Sequence, residues 1–113
     1  MHLVIAYIRP EQLSDVKQRL IEHEVFKMSI TNALGAGDEG VYHEQYRGAD
    51  VEVDLLKRVR LEISVNGKFL QRTIDAILEG GRTGETGDGK IFVVPLTGCY
   101  RIRTGEQGPV AVG

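Results

Sequence analysis

Tryptophan is absent from this chain, cysteine occurs once, proline three times, and aromatic residues make up only 6%. A lone cysteine, Cys99, cannot close a disulfide within the chain, which suits a reducing compartment. Long apolar runs are missing too. The stretch Leu3 to Ile8 is six residues long, has no basic segment before it and is followed at once by Arg9-Pro10. It reads as a strand, because a signal peptide needs a basic start and a spanning helix needs roughly 20 apolar residues. Neither sign of charge dominates: 14 basic residues stand against 16 acidic ones, for a net charge of −2. That balance removes the electrostatic argument for nucleic-acid binding, so basic residues must act locally. The histidines, His2, His23 and His43, are scattered, and no nucleophile stands beside a general base. His43 lies near Glu39 and Glu44, where metal capture and a solvated loop histidine are both open readings. The expectation is a cytoplasmic protein without direct membrane insertion.

With 113 residues, 42% of them apolar, the chain has the size of one domain with a single modest core, so any second surface must come from oligomerisation. Residues 2–9 read as a buried strand, and Pro10 suits the start of a helix over 11–23, where Leu13, Val16, Leu20 and Ile21 form one apolar stripe. A second strand is expected from about Val25 through Phe26, Met28 and Ile30 to Gly35. From Gly37 to about Asp54 the sequence is polar, acidic and aperiodic. A loop of that length inside a compact domain is uncommon, and is either functional or a solvated insertion.

Residues 57–65 alternate, with Val59, Leu61, Ile63 and Val65 on one face and Arg58, Arg60, Glu62 and Ser64 on the other. A second helix carries Phe69, Leu70, Ile74, Ile77 and Leu78 and is expected to end at Gly80-Gly81. A glycine-rich loop, about 81–90, leads to an apolar strand over 91–96, and the chain closes on a basic segment and a flexible tail within a loop over about 97–113. This order is the βαββαβ plan of an α+β, ferredoxin-like fold, with both helices on one face of an antiparallel sheet. No element remains to cover the other face, which predicts self-association through it.

Two segments carry chemistry. Gly84-Glu85-Thr86-Gly87-Asp88-Gly89-Lys90 has the spacing G-x-x-x-x-G-K, in which glycines let N–H groups converge on phosphate and lysine adds a point charge. A nucleotide-hydrolysing P-loop would next require Ser or Thr and then a helix, but Ile91 and a strand follow. Anion binding and a simple tight turn are both open. Arg101 and Arg103 stand two apart, so in an extended segment their guanidinium groups point to one side, as phosphate recognition favours.

Taken together, Tyr46-Arg47-Gly48-Ala49, Arg82-Thr83-Gly84 through Gly87-Asp88-Gly89-Lys90-Ile91-Phe92-Val93, and Arg101-Ile102-Arg103-Thr104-Gly105-Glu106 resemble the PII nitrogen-regulatory family over nearly the whole chain. The resemblance implies a non-enzymatic homotrimer with ATP and ADP competing for clefts between subunits. It places Gly87, Asp88, Gly89 and Lys90 at the phosphates, with Arg101, Ile102 and Arg103 reaching in from a neighbour. Ser29 and Ser64 fall at nucleotide contacts, Ser29 in place of a usual threonine. Gly35, Gly37 and Asp38 fall at the base of the long T-loop, about 37–55, which would close over the site and insert into an ammonium transporter or a nitrogen-metabolic enzyme through Tyr46 and Arg47.

There are departures from the family pattern. Val51 and Ala49 replace residues modified in relatives, and Asp38 stands where many relatives have arginine. Glu39 replaces a glutamine that helps hold Mg2+ and 2-oxoglutarate, and Arg58, next to Lys57, replaces an effector-binding lysine. Glu39 can still ligate Mg2+ but repels an anionic keto acid, so weakened 2-oxoglutarate sensing with retained ATP and ADP sensing is the expectation. The alternatives are a sensor of inorganic carbon or another anion, or a slow ATPase.

Overall fold

The computed structural model of the chain describes residues 1–36 and 55–113. Four strands form one sheet: β1 (His2–Ile8), β2 (Ser29–Gly35), β3 (Leu56–Val65) and β4 (Lys90–Pro95), in the order β2-β3-β1-β4 with every neighbouring pair antiparallel. Helices α1 (Leu13–Glu22) and α2 (Phe69–Gly81) connect them. This is the expected ferredoxin-like α+β architecture.

Strand alternation sets the two faces. Val4, Ala6 and Ile8 of β1 and Val59, Leu61, Ile63 and Val65 of β3 are buried under the helices, packed against Val16, Leu20, Ala76 and Ile77. The intervening residues point the other way. There Leu3, Ile5 and Tyr7 stand in register with Val94, Phe92 and Lys90 of β4, and Phe92 and Val94 are 48% and 42% exposed. The apolar stripe on that open face matches the expectation of an uncovered sheet.

Three local expectations are corrected. The second strand starts at Ser29, because Val25 is used to end α1. Its N–H donates to the Leu20 carbonyl at 2.8 Å and that of Glu24 to Ile21 at 2.9 Å, while Glu24 takes a left-handed φ of 64°. These are the two bonds of a Schellman motif, sealed by the buried pair Leu20 and Val25. Helix α2 ends at Gly81, as the Gly80-Gly81 pair predicts. A Cβ on Gly80 would sit 2.7 Å from the Val16 Cα, so this glycine lets the two helices approach. The C-terminal residues are not a loose tail: Pro109–Val112 form a short helix, α3, with Val112 buried and the Asn66 side chain donating to the Pro109 carbonyl at 2.8 Å. Finally, the arginine segment is a turn, held by Arg101 N–H to Glu106 O at 2.8 Å and Gly105 N–H to Arg101 O at 2.7 Å. Extended-chain alternation therefore does not apply to Arg101 and Arg103.

Candidate functional site

The glycine-rich turn leaves α2 at Arg82 and enters β4 at Lys90. Its geometry is set by Asp88. The carboxylate accepts hydrogen bonds from the Thr83 hydroxyl, from the N–H groups of Thr83 and Gly84 at 2.8 and 2.9 Å, and from Arg9 Nε at 3.1 Å. The Thr83 hydroxyl and N–H, with Gly84 and Arg9 behind them, stabilise the ionised form and hold its pKa well below the usual carboxylate range, against the opposing effect of partial burial. Asp88 is thus turned inward as the fastening of the loop. What it offers a ligand is backbone. Gly89 has a φ of 101°, and a Cβ there would lie 1.7 Å from the Tyr7 carbonyl oxygen, so no other residue fits this crossing.

Beside the turn opens a cleft of about 700 Å³, lined among others by Tyr7, Gly35, Arg58, Thr86, Gly87, Asp88, Gly89 and Lys90. Strand register explains the assembly: Tyr7 faces both Lys90 and Arg60, and Ala33, two residues before Gly35, faces Arg58. Two cationic side chains, Arg58 and Lys90, the carboxylate of Glu85 and a glycine turn thus line one cleft; the cations and the turn are groups that an anionic ligand can use. A narrower groove of about 450 Å³ lies on the other side of the turn, between α2 and β4, but its walls are largely aliphatic: Ile74, Ile77, Leu78, Ile91 and Val93.

The remaining candidates collect elsewhere. Ser29 is in register with Glu62 and Ser64 with Leu3, both serines exposed on the open face of the sheet. Leu3 and Tyr7 are four residues apart on β1, roughly 13 Å at about 3.3 Å per residue. The turn carrying Arg101, Ile102 and Arg103 belongs to the same end as the serines, since Leu96 N–H bonds to the Met1 carbonyl and Val112 packs in a pocket with Ser64 and Val65. Arg101 is held by Glu106 Oε1 at 2.9 Å and donates to the Val110 carbonyl at 3.1 Å. Ile102 is fully exposed, and Arg103 is exposed without a hydrogen bond or ion pair among the described residues.

The candidate residues therefore fall into two groups toward opposite ends of the sheet. Gly35, Arg58, Gly87, Asp88, Gly89 and Lys90 form one; Ser29, Ser64, Arg101, Ile102 and Arg103 form the other. Gly37, Asp38, Glu39, Tyr46 and Arg47 lie outside the described residues, as do His43, Ala49 and Val51. Sequence reasoning missed Tyr7, which walls the cleft, and the anchoring role of Arg9. Nothing local marks them: Arg9 and Asp88 are 79 positions apart, and only the pairing of β1 with β4 joins them.

Comparison with known proteins agrees with this architecture. The family profile described as nitrogen regulatory protein P-II matches residues 1–106. Nitrogen regulatory protein GlnK1 of Methanosarcina mazei is 45% identical over 99% of this chain and 97% of its own length. Nitrogen regulatory protein P-II 1 of Methanothermobacter thermautotrophicus is 46% identical over the same shares of the two chains. Among solved structures, Arabidopsis thaliana PII bound to citrate superposes with a TM-score of 0.77 at 32% identity, covering 97% of this chain and 87% of that one. The ferredoxin-like sheet, the glycine turn fastened by Asp88 and near-complete alignment with named relatives lead to one conclusion: the chain belongs to the nitrogen regulatory protein P-II family.

Proposed function

We propose that this protein is a nucleotide-responsive regulator of nitrogen metabolism in which ATP and ADP compete for clefts between the subunits of a homotrimer. The observation carrying the reading is the separation of the two half-sites. Lys90 and the glycine turn lie at one end of the sheet, and the arginine turn and serines lie at the other. A polyphosphate gripped by both sets requires two copies of the chain. The uncovered stripe of Leu3, Ile5, Phe92 and Val94 supplies an apolar surface on which copies can associate.

Output is conformational. A ligand shifts the balance between two loop states by its difference in affinity for them, so no chemical step is needed. Gly35 lies on the cleft wall, where β2 leads into the segment holding Gly37, Asp38, Glu39, Tyr46 and Arg47. That segment is the proposed reporter, reading the nucleotide through Gly37 and Asp38, taking Mg2+ at Glu39 beside ATP, and engaging an ammonium transporter or a nitrogen-metabolic enzyme through Tyr46 and Arg47. Sensing of 2-oxoglutarate is weakened, because Glu39 opposes its charge.

Calorimetry with ATP and ADP, combined with sedimentation, tests the reading. Nucleotide binding by a trimer is expected. Lys90→Ala should weaken ATP about 10- to 100-fold, the worth of a charge-assisted bond to phosphate. A monomer indifferent to both nucleotides would overturn the reading, and tight keto-acid binding in the presence of ATP and Mg2+ would overturn its last part.

A further inference from the structure

Arg9 lies just beyond β1, where the following proline keeps it extended at φ −66° and ψ 139° and its carbonyl accepts the Gln12 N–H at 3.0 Å. Its backbone is therefore fixed to the body of the fold. From there the side chain, 19% exposed, reaches the glycine turn twice: Nε donates to Asp88 Oδ1 at 3.1 Å, and Nη2 donates to the Thr86 carbonyl. Thr83 and Gly84 also bond to Asp88, but they belong to the turn itself and can only close it. Among the described residues, Arg9 is the side chain that ties the closed turn to the body, and it does so at Thr86, which stands between the ends where the turn joins α2 and β4. Yet Arg9 does not line the cleft, whereas Thr86, Gly87, Asp88, Gly89 and Lys90 do.

From this arrangement we infer that Arg9 is a positioning residue for phosphate recognition: it acts through Asp88 and Thr86 to aim the N–H groups of the turn, without touching the ligand. The inference rests on the nucleotide-binding reading above. Two consequences separate it from a simple charge effect. The guanidinium is already paired with a carboxylate, so its long-range field on a phosphate is largely cancelled. And it bridges two acceptors at once, which a planar fork does and the single ammonium of lysine does not.

The test measures ATP and ADP affinity by calorimetry for the unaltered protein, Arg9→Met, Arg9→Lys, Asp88→Asn, Lys90→Ala and the double variants. Arg9→Met and Arg9→Lys should each weaken both nucleotides on the order of tenfold, as loss of a supporting shell does. Lysine fails despite its equal charge. Combined with Asp88→Asn, the effect of Arg9→Met should fall at least about threefold short of additive, while with Lys90→Ala it should add in full. Hydrogen exchange without ligand should show faster exchange in the Arg9 variants confined to residues 83–89. That readout also applies if Arg9→Met folds poorly, because Arg9→Lys then carries the comparison.

Nucleotide binding by the unaltered protein with unchanged affinity in both Arg9 variants overturns this inference alone. So does an Arg9→Met effect that persists in full beside Asp88→Asn, since that marks direct contact with the ligand. Full retention of affinity in Arg9→Lys would make charge the cause and overturn it equally. Absence of nucleotide binding by the unaltered protein overturns both this inference and the functional reading beneath it.

Discussion

Asp88 illustrates how a side chain within a glycine-rich turn can serve the turn itself. Its oxygens are occupied by Thr83, Gly84 and Arg9, and these donors depress its pKa. A carboxylate whose folded pKa lies below its unfolded value of about 4 adds stability at every pH above that value, and loses it only as the pH falls through the folded pKa. The melting-temperature gap between the unaltered protein and Asp88→Asn is therefore expected to stay constant from pH 8 to about 5 and to narrow below about pH 4. A gap that opens or closes near neutrality would contradict the assignment. Sequence placed Asp88 correctly within the turn, since glycines and a lysine at this spacing are legible as an anion loop. It could not show the direction of the side chain, which depends on a partner 79 positions away.

The helices show both the strength of periodicity and its limit. Apolar spacing found Val16, Leu20 and Ile77, which are buried, but grouped with them Ile21 and Leu78, which are 48% and 41% exposed, and it missed the cap at Glu24, because apolar residues at a stripe's edge and punctuation residues have more than one use. Gly80 sits within α2 because the backbone of α1 occupies the space of its Cβ. Gly80→Ala should cost about 1–3 kcal/mol or more in denaturant melts, as overpacking does. Gly81→Ala, whose Cβ would meet Ile8 and Val16 at ordinary distances of 3.6 and 3.7 Å, should change stability by no more than about 1 kcal/mol. At the other helix end, Glu24 occupies the left-handed position that glycine takes without strain. Its one ion pair among the described residues, with Arg72 at 3.3 Å, is exposed and worth little. Glu24→Gly is expected to raise stability by about 0.5–1 kcal/mol in urea melts, and a loss would show that the ion pair outweighs the strain.

In the proposed reading, the open sheet face couples assembly to ligand binding. Phe92 is 48% exposed, packs edge-on against Tyr7 at 6.4 Å, and lies in the stripe that has no cover among the described residues. Phe92→Asp should leave the helix-side core intact, so far-UV circular dichroism should be unchanged. Sedimentation should shift toward a lighter species, and ATP affinity should fall with it because the two half-sites no longer meet. A variant that keeps its mass but loses ATP would place the effect at the cleft wall instead.

Alternating and helical apolar patterns set the order of the elements and the face of most strands that turns inward, and the glycines marked a turn before β4. These are local properties, carried by residues a few positions apart. Folding alone settled which distant residues meet: Arg9 with Asp88, Gly80 with Val16, Asn66 with Pro109. It also set the two groups of candidate residues at opposite ends of one sheet, because antiparallel pairing of β1 with β4 puts Lys90 beside Tyr7 and sends the following chain back toward Met1.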